Sequence, residues 1–526
     1  MTKKSLVKRQ LAVARKAETV HIFGEIILKA VTNLQVVDCS SLCSRQSWLA
    51  HSGIYKNRDT IMKHTAGIWA IAGMLIAPLA HADVILHAFN WKYSEVTAKA
   101  DLIKSVGYKQ VLISPPLKSS GNEWWARYQP QDLRLVDSPL GNKQDLVQLI
   151  AAMKARGIAV YADVVLNHMA NESWKRSDLN YPGNELLQSY ASNPAYFERQ
   201  KLFSDLGQNF LSGQDFHPEG CISDWSDPGH VQYWRLCGGA GDKGLPDLDP
   251  NNWVVSQQQA YLKALKGMGI KGFRVDAVKH MSDYQINAVF TPEIKQGMHV
   301  FGEVITTGGA GSTDYERFLK PYLDSSGQGA YDFPLFASLR GALGYGGSMN
   351  LLADPGAYGQ ALPGSRAVTF AVTHDIPTND GFRYQILSQT DEKLAYAYLL
   401  GRDGGSPLVY SDHGETQAKD GLRWQDYYQR ADLKGMIRFH NAVQGQPMQL
   451  IGSGDCFVLF KRGKQGLVGI NKCDYEQEYW LDTARFEMNW YRNYRDVLDQ
   501  GAVVNVLSQW VRVAIPARSA RMWLQE

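Results

Sequence analysis

Carboxylates recur along this chain just past short apolar runs. DVVLNH (163–168) carries Asp163, Asn167 and His168, and GFRVDAVKH (272–280) carries Arg274, Asp276, Lys279 and His280. FGEV (301–304) carries Glu303, and VTHD (372–375) carries His374 and Asp375. A single Asp at the end of a strand is most often a helix cap. Three of these carboxylates, Asp276, Glu303 and Asp375, lie on separate runs, the first with an arginine two residues before it, and ask for another explanation. Hydrolysis of a glycosidic bond needs two opposed carboxylates, a nucleophile and an acid/base, about 5 Å apart in a retaining enzyme. Arg274 and Asp276 lie two apart on a strand, so both project to the same side. The guanidinium can then keep that carboxylate ionised. The acid must still hold its proton when it meets the leaving oxygen, so its pKa must be raised. Glu303 suits that role if it lies close to ionised carboxylates.

These residues need a scaffold that brings separate strand ends to one rim. Runs at 83–89, 109–114, 158–165, 269–275, 298–304, 329–335, 367–374 and 406–411 read as strands, and most are continuously apolar, as strands buried on both faces are. Helical spacing lies between them, at 96–106, 145–156, about 254–268 and 430–443. Eight strands alternating with helices predict an α/β fold, a (βα)8 barrel, rather than a doubly wound sheet of five or six strands. Residues 169–252 break the rhythm. They are rich in Asn, Ser, Gly, Asp and Pro, and a structureless loop of that length is implausible, so an inserted subdomain after strand 3 is expected. The barrel then spans 83–168 and 253–444. From 445 to 526 the period changes to strand-like alternation, which predicts a C-terminal all-β domain, a sandwich.

The chain has 526 residues, 44% hydrophobic and 20% charged, which are globular proportions. Its net charge of +3 misleads, because residues 1–61 hold ten Lys/Arg against four Asp/Glu. With that stretch and Lys63 set aside the remainder is acidic, so no nucleic-acid partner is expected. Residues 62–82, MKHTAGIWAIAGMLIAPLAHA, combine a basic start, an apolar run and a small-x-small ending, the pattern of a signal peptide. We therefore expect Met62 as the true start, 1–61 as a misassigned extension, and a secreted protein, extracellular or periplasmic, with no membrane span once the signal is removed. Cys39 and Cys43 fall in the extension. Cys221, Cys237, Cys456 and Cys473 remain, an even number that suggests disulfides in an exported protein. Three pairings are open. The local one, 221 with 237 and 456 with 473, is expected, each loop contributing roughly 3 kcal/mol in the chain-entropy picture.

Together the four motifs above, in this order, resemble those of the α-amylase family of glycoside hydrolases. LPDLD (245–249) is similar to a further family motif, and HAFNW (87–91), SPP (114–116) and WWARYQP (124–130) are similar to animal-type members and their bacterial relatives. The resemblance implies an endo-acting enzyme that cuts internal α-1,4 bonds of an α-glucan polysaccharide with retention, working as a monomer. It implies Asp276 as nucleophile, Glu303 as general acid/base and Asp375 as a third carboxylate gripping the sugar. Arg274 would orient Asp276. His168 and His374 would hydrogen-bond the sugar, Tyr128 would stack beneath it with Gln129 beside it, and Trp124 and Trp125 would line neighbouring subsites. Lys279 and His280 would face the leaving group. It also implies a structural Ca²⁺ held by Asn167, Asp247 and the His280 carbonyl, hard oxygen donors of the kind calcium takes. Chloride-dependent members carry Asn where Thr373 stands, so chloride activation is doubtful. The rival readings are an exo-acting or transglycosylating relative, a non-catalytic glycan binder, and a barrel enzyme for phosphorylated substrates. The binder should lack one of the three carboxylates. The last should show a Gly-rich phosphate cradle after a late strand, and GRDGG (401–405) precedes the eighth.

Overall fold

Eight short apolar strands pair in parallel and close on themselves. The computed structural model describes residues 83–239, 241–414, 423–499 and 501–526. The extension and signal peptide expected over 1–82 lie outside the described residues, as do Cys39 and Cys43. The barrel strands are β1 (Ile85–Ala88), β2 (Gln110–Ile113), β3 (Ala159–Val164), β4 (Gly272–Val275), β5 (His299–Gly302), β6 (Gly329–Tyr331), β7 (Ala367–Phe370) and β8 (Ser406–Tyr410). Each pairs with its sequence neighbour, and β1 with β8 completes the ring, Leu86 opposite Val409. Alternation along each strand sends one set of side chains inward. Ile85, Leu112, Tyr161, Phe301, Tyr331, Val368, Phe370, Leu408 and Tyr410 fill the interior, an unusually aromatic core. The other set packs against the surrounding helices. Gly272 makes room for this filling: a Cβ there would stand 2.6 Å from the Tyr161 ring.

The helices follow their sequence signals closely. Lys143–Ala155 starts on an Asn142–Asp145 capping box, a cap type that contributes about 1 kcal/mol. Asn252–Met268 is capped by Asn251 and ends at Gly269, whose φ of 111° suits a residue without Cβ. Three differences from expectation have local causes. The helix expected over 96–106 breaks at Lys99 into Tyr93–Ala98 and Ala100–Val106. The strand expected over 329–335 stops at Tyr331, because the Asp332 side chain accepts from the Leu335 N–H and starts a helix, Phe333–Leu343. The fourth strand begins three residues late, since Gly269 belongs to the preceding helix end.

Between β3 and the Asn252–Met268 helix the chain forms short helices, Asn184–Ser192, Pro194–Gln200 and Pro228–Tyr233, with a small core of Leu135, Tyr190, Phe197 and Leu206. Buried Arg134 pins this region to the segment after β2: it pairs with Asp132 at 2.8 Å and donates to the Gln208 carbonyl. Cys221 is bonded to Cys237.

After the last barrel helix, Ala431–Ala442, eight strands follow: β9 (Met448–Ser453), β10 (Phe457–Arg462), β11 (Gly466–Asn471), β12 (Gln477–Asp482), β13 (Asn493–Asp496), β14 (Val503–Asn505), β15 (Trp510–Ile515) and β16 (Ser519–Gln525). Six form one sheet in the order β9-β10-β11-β16-β13-β14, and β12 pairs with β15 as a separate ribbon. One face of the sheet packs Val458, Phe460, Val468, Ile470 and Met522 into the barrel's outer core. The other joins Leu481, Val513 and Ile515 of the ribbon. Arg462 donates to the carbonyls of Gly401, Arg402, Val443 and Gln446 and so ties the sheet to two helix ends. Cys456 is bonded to Cys473. Among the described residues no helix is long and apolar enough to cross a membrane.

Candidate active site

The inward alternation that fills the barrel also sets the polar layer above it. On β4 the inward positions run Gly272, Arg274, Asp276. The register puts Asp163 of β3 beside Arg274 and Phe301 of β5 on its other side, with Glu303 two residues further along. Arg274 is fully buried and acts as the hub. Its Nη1 donates to both oxygens of Asp163 at 2.8 Å and to Asp276 Oδ1 at 2.7 Å. Its Nη2 lies 2.6 Å from Glu303 Oε1, an ion pair whose angles miss those of a hydrogen bond. Asp163 was visible in the sequence only as a motif residue. Its place on this guanidinium is new, and Tyr128 Oη donates to it at 2.9 Å.

One cation thus faces Asp163, Asp276 and Glu303, with Asp375 near enough to interact. Burial raises the pKa of Glu303 above the ordinary glutamate range. Arg274 pulls it down, and Asp375 and Asp276 push it up again. Burial likewise raises Asp375 and Asp163. The surrounding imidazoles move the other way. Burial lowers His374 well below its usual range, helped by His87 and Arg274, and lowers His168 despite nearby Asp276. His87, which the sequence did not single out as functional, is pushed down to about 3 by burial and Arg274. Burial thus favours the neutral imidazole at all three histidines.

Above this layer opens a cleft of about 580 Å³. Of the residues singled out from sequence, Trp124, Trp125, Tyr128, Gln129, His168, Asp276, Lys279, His280, Glu303, His374 and Asp375 line it. Tyr128 stacks on His374 with ring centroids 5.3 Å apart and planes 7° from parallel. Trp124 closes edge-on against both. His168 Nε2 is held 2.9 Å from the Tyr128 carbonyl. Lys279 pairs with Asp314 at 2.8 Å, which fixes its ammonium at the wall. His280 hydrogen-bonds the Val231 carbonyl and meets Trp225 edge-on at 5.9 Å. Arg274, Asn167 and Asp247 lie buried outside the lining. The lining also includes Trp225, Ile305, Thr306, Thr307, Asp314, Asn379 and Phe382, none of them foreseen. All but Asp314, which starts a helix, arrive on loops, where no periodicity marks them. Ala277, directly after Asp276, sits in the left-handed region at φ 51°, and its N–H points at Glu303 Oε2, 3.4 Å away. Strain at a non-glycine residue of this kind clusters at functional sites.

Asn167 and Asp247 meet where the insert rejoins the barrel. His168 bridges to Asp247 in antiparallel fashion, and the Leu248 N–H donates to the Asn167 carbonyl at 2.9 Å. Both side chains are almost fully buried, and burial raises the Asp247 pKa to about 6 against the pull of His217 and Asn167. His217 Nδ1 approaches its Oδ2 at 2.5 Å. A buried carboxylate and amide set among backbone carbonyls are hard oxygen donors, and their chemistry fits calcium. Among the described residues no cluster of three or more His, Cys, Asp or Glu is arranged as a metal site.

The chain is similar to several known proteins. Residues 92–312 match the α-amylase catalytic domain family. An α-amylase of Aeromonas hydrophila is 92% identical over 457 residues, covering 87% of this chain and 98% of its own length. Among solved structures, a mutant α-amylase I of Eisenia fetida in complex with maltohexaose superposes with a TM-score of 0.65 at 21% identity, over 84% of this chain and 97% of that one. A cyclomaltodextrin glucanotransferase of three-domain layout superposes with a TM-score of 0.63 at 20% identity, over 84% and 98%.

Proposed function

The chain belongs to the α-amylase family of glycoside hydrolases, and on that premise we propose that it is an exported, endo-acting enzyme that cuts internal α-1,4-glucosidic bonds of starch-like polymers and maltooligosaccharides with retention. The observation that carries this reading is the single guanidinium of Arg274 gripping both Asp276 and Glu303 beneath an open aromatic cleft. One guanidinium holding both carboxylates limits their separation. That favours the retaining distance of about 5 Å over the wider inverting one.

Asp276, held in place by Arg274, attacks the anomeric carbon from below. Glu303, protonated because it is buried among negative neighbours, gives its proton to the departing glycosidic oxygen. The bond to the leaving chain breaks as the Asp276 ester forms. Glu303, now a carboxylate, takes a proton from water, which attacks the same carbon and releases Asp276. Asp375 grips hydroxyls of the distorted ring. Tyr128, stacked on His374, offers its face to the sugar, and neutral His168 and His374 hydrogen-bond it. Trp124, Trp125 and Gln129 extend the surface toward one set of subsites. Lys279, His280 and Trp225 take the leaving-group side. Trp125 and Trp225 are each about half exposed at the rim, which suits a long chain lying across the cleft. A calcium ion held by Asn167, Asp247 and the His280 carbonyl would supply a structural cross-link between insert and barrel, with no part in bond breaking.

The test is a maltooligosaccharide capped at its non-reducing end, which exo-attack cannot enter. Cleavage is expected. Failure to cut it while free maltooligosaccharides are consumed would replace this reading with an exo-acting or transferring one.

A further inference from the structure

The C-terminal ribbon carries a face that the catalytic cleft does not use. Along β12 and β15 the alternation sends Tyr479, Leu481, Val511, Val513 and Ile515 into the sandwich core. The opposite face is open. There Trp480 is 59% exposed and Trp510 54%. The register pairs Trp480 with Arg512 and Asp482 with Trp510. The two indoles are therefore diagonal neighbours on one face, with Cβ atoms about 7–8 Å apart or somewhat less. Between them the polar groups are bound to one another. Arg512 Nη2 donates to Glu476 at 2.8 Å and to Glu478 at 2.6 Å, and Gln509 reaches Asp482.

Two exposed indoles on one face of a ribbon offer a binding surface, and the chemistry around them selects the occupant. Among the described residues of these two strands Arg512 is the cation on this face, and two carboxylates bind it, so an anionic ligand finds no partner there. Two indole faces on a rigid ribbon, interleaved with groups that both donate and accept, complement a neutral chain of pyranose rings. Apolar ring faces stack on tryptophan while the hydroxyls reach the polar groups. We infer that β12 and β15 form a second α-glucan site, centred on Trp480 and Trp510, that holds a distant stretch of the polymer being cut. The inference rests on the substrate class proposed above. Its consequence is avidity: a polymer long enough to reach both sites binds more tightly than the cleft alone allows, by 10²-fold or more in favourable geometry.

The experiment uses the mature chain and its Trp480→Ala/Trp510→Ala variant, with Trp480→Phe/Trp510→Phe as the ring-retaining control. Three quantities are read: kcat/KM on a short capped maltooligosaccharide, retardation in cold native gels cast with amylopectin, and sedimentation. The expected result is unchanged kcat/KM on the short substrate, at least about tenfold weaker retardation in the alanine variant, and partial recovery with phenylalanine. Equal retardation of wild type and alanine variant would overturn the site. So would a wild-type dimer that the alanine variant loses, since the face would then bind a second copy. If wild type itself leaves the short capped substrate uncut, the catalytic reading fails, and the gel still decides the ribbon's role on its own.

Discussion

At the residue scale the site is a charge balance around Arg274, and its parts should fail in distinguishable ways. Asp276→Asn should lose several orders of magnitude in kcat with the melting temperature preserved; near-normal turnover would remove Asp276 from the nucleophile's role. Glu303→Gln should cost roughly 10²- to 10⁴-fold, as loss of a general acid does. Activity requires protonated Glu303, so it falls as pH rises through that group's pKa. Because burial raises that pKa, the alkaline limb of kcat/KM should lie well above the ordinary glutamate value of about 4.3. Asp375 contributes to the upward shift. In Asp375→Asn the residual activity should therefore show its alkaline limb at lower pH, and a limb that stays put would separate the two groups. Asp276, Glu303 and Arg274 were legible in the sequence because their types and spacing meet a chemical requirement. Trp225 and Phe382 were not, because an aromatic on a loop carries no signal of the direction it faces.

At the element scale, β4 and the turn after it do the positioning. Ala277 holds φ 51° immediately beyond Asp276, a conformation that costs an L-residue roughly 1–2 kcal/mol and glycine much less. Ala277→Gly should accordingly leave the melting temperature unchanged or raise it slightly while kcat falls, because the turn that sets Asp276 against Glu303 loses its rigidity. A clear drop in stability would show that the Cβ packing outweighs the strain. The seam between insert and barrel gives a second handle. Chelation should lower the melting temperature, and Asp247→Asn should both lower it and abolish its response to chelator; an identical response in wild type and variant would exclude calcium at Asp247. Barrel strands were readable because burial on both faces leaves continuous apolar runs. The insert's helices, such as Pro194–Gln200, are too short and too polar to show a period, and only their composition was visible. At Asp332 the sequence misled for a different reason: an apolar run straddled a helix cap, and the cap decided where the strand stopped.

At the scale of the whole molecule, three pieces with different periodicities share one covalent thread. The change of period near residue 444 was visible, and so was the strand-like alternation over 445–526. The sheet order was not, since strands as short as Val503–Asn505 pair over distances that no local pattern encodes. Intact mass before and after reduction should show two disulfides among Cys221, Cys237, Cys456 and Cys473; four free thiols would refute both. Each bond closes a short loop, with separations of 16 and 17 residues, and neither leaves its own module. A protease that cuts at exposed Gly445 would therefore sever the last covalent connection between barrel and β sheet. On a denaturing gel without reductant the two fragments should part. On a native gel they should still travel together, held by Arg462 and the buried face of the sheet.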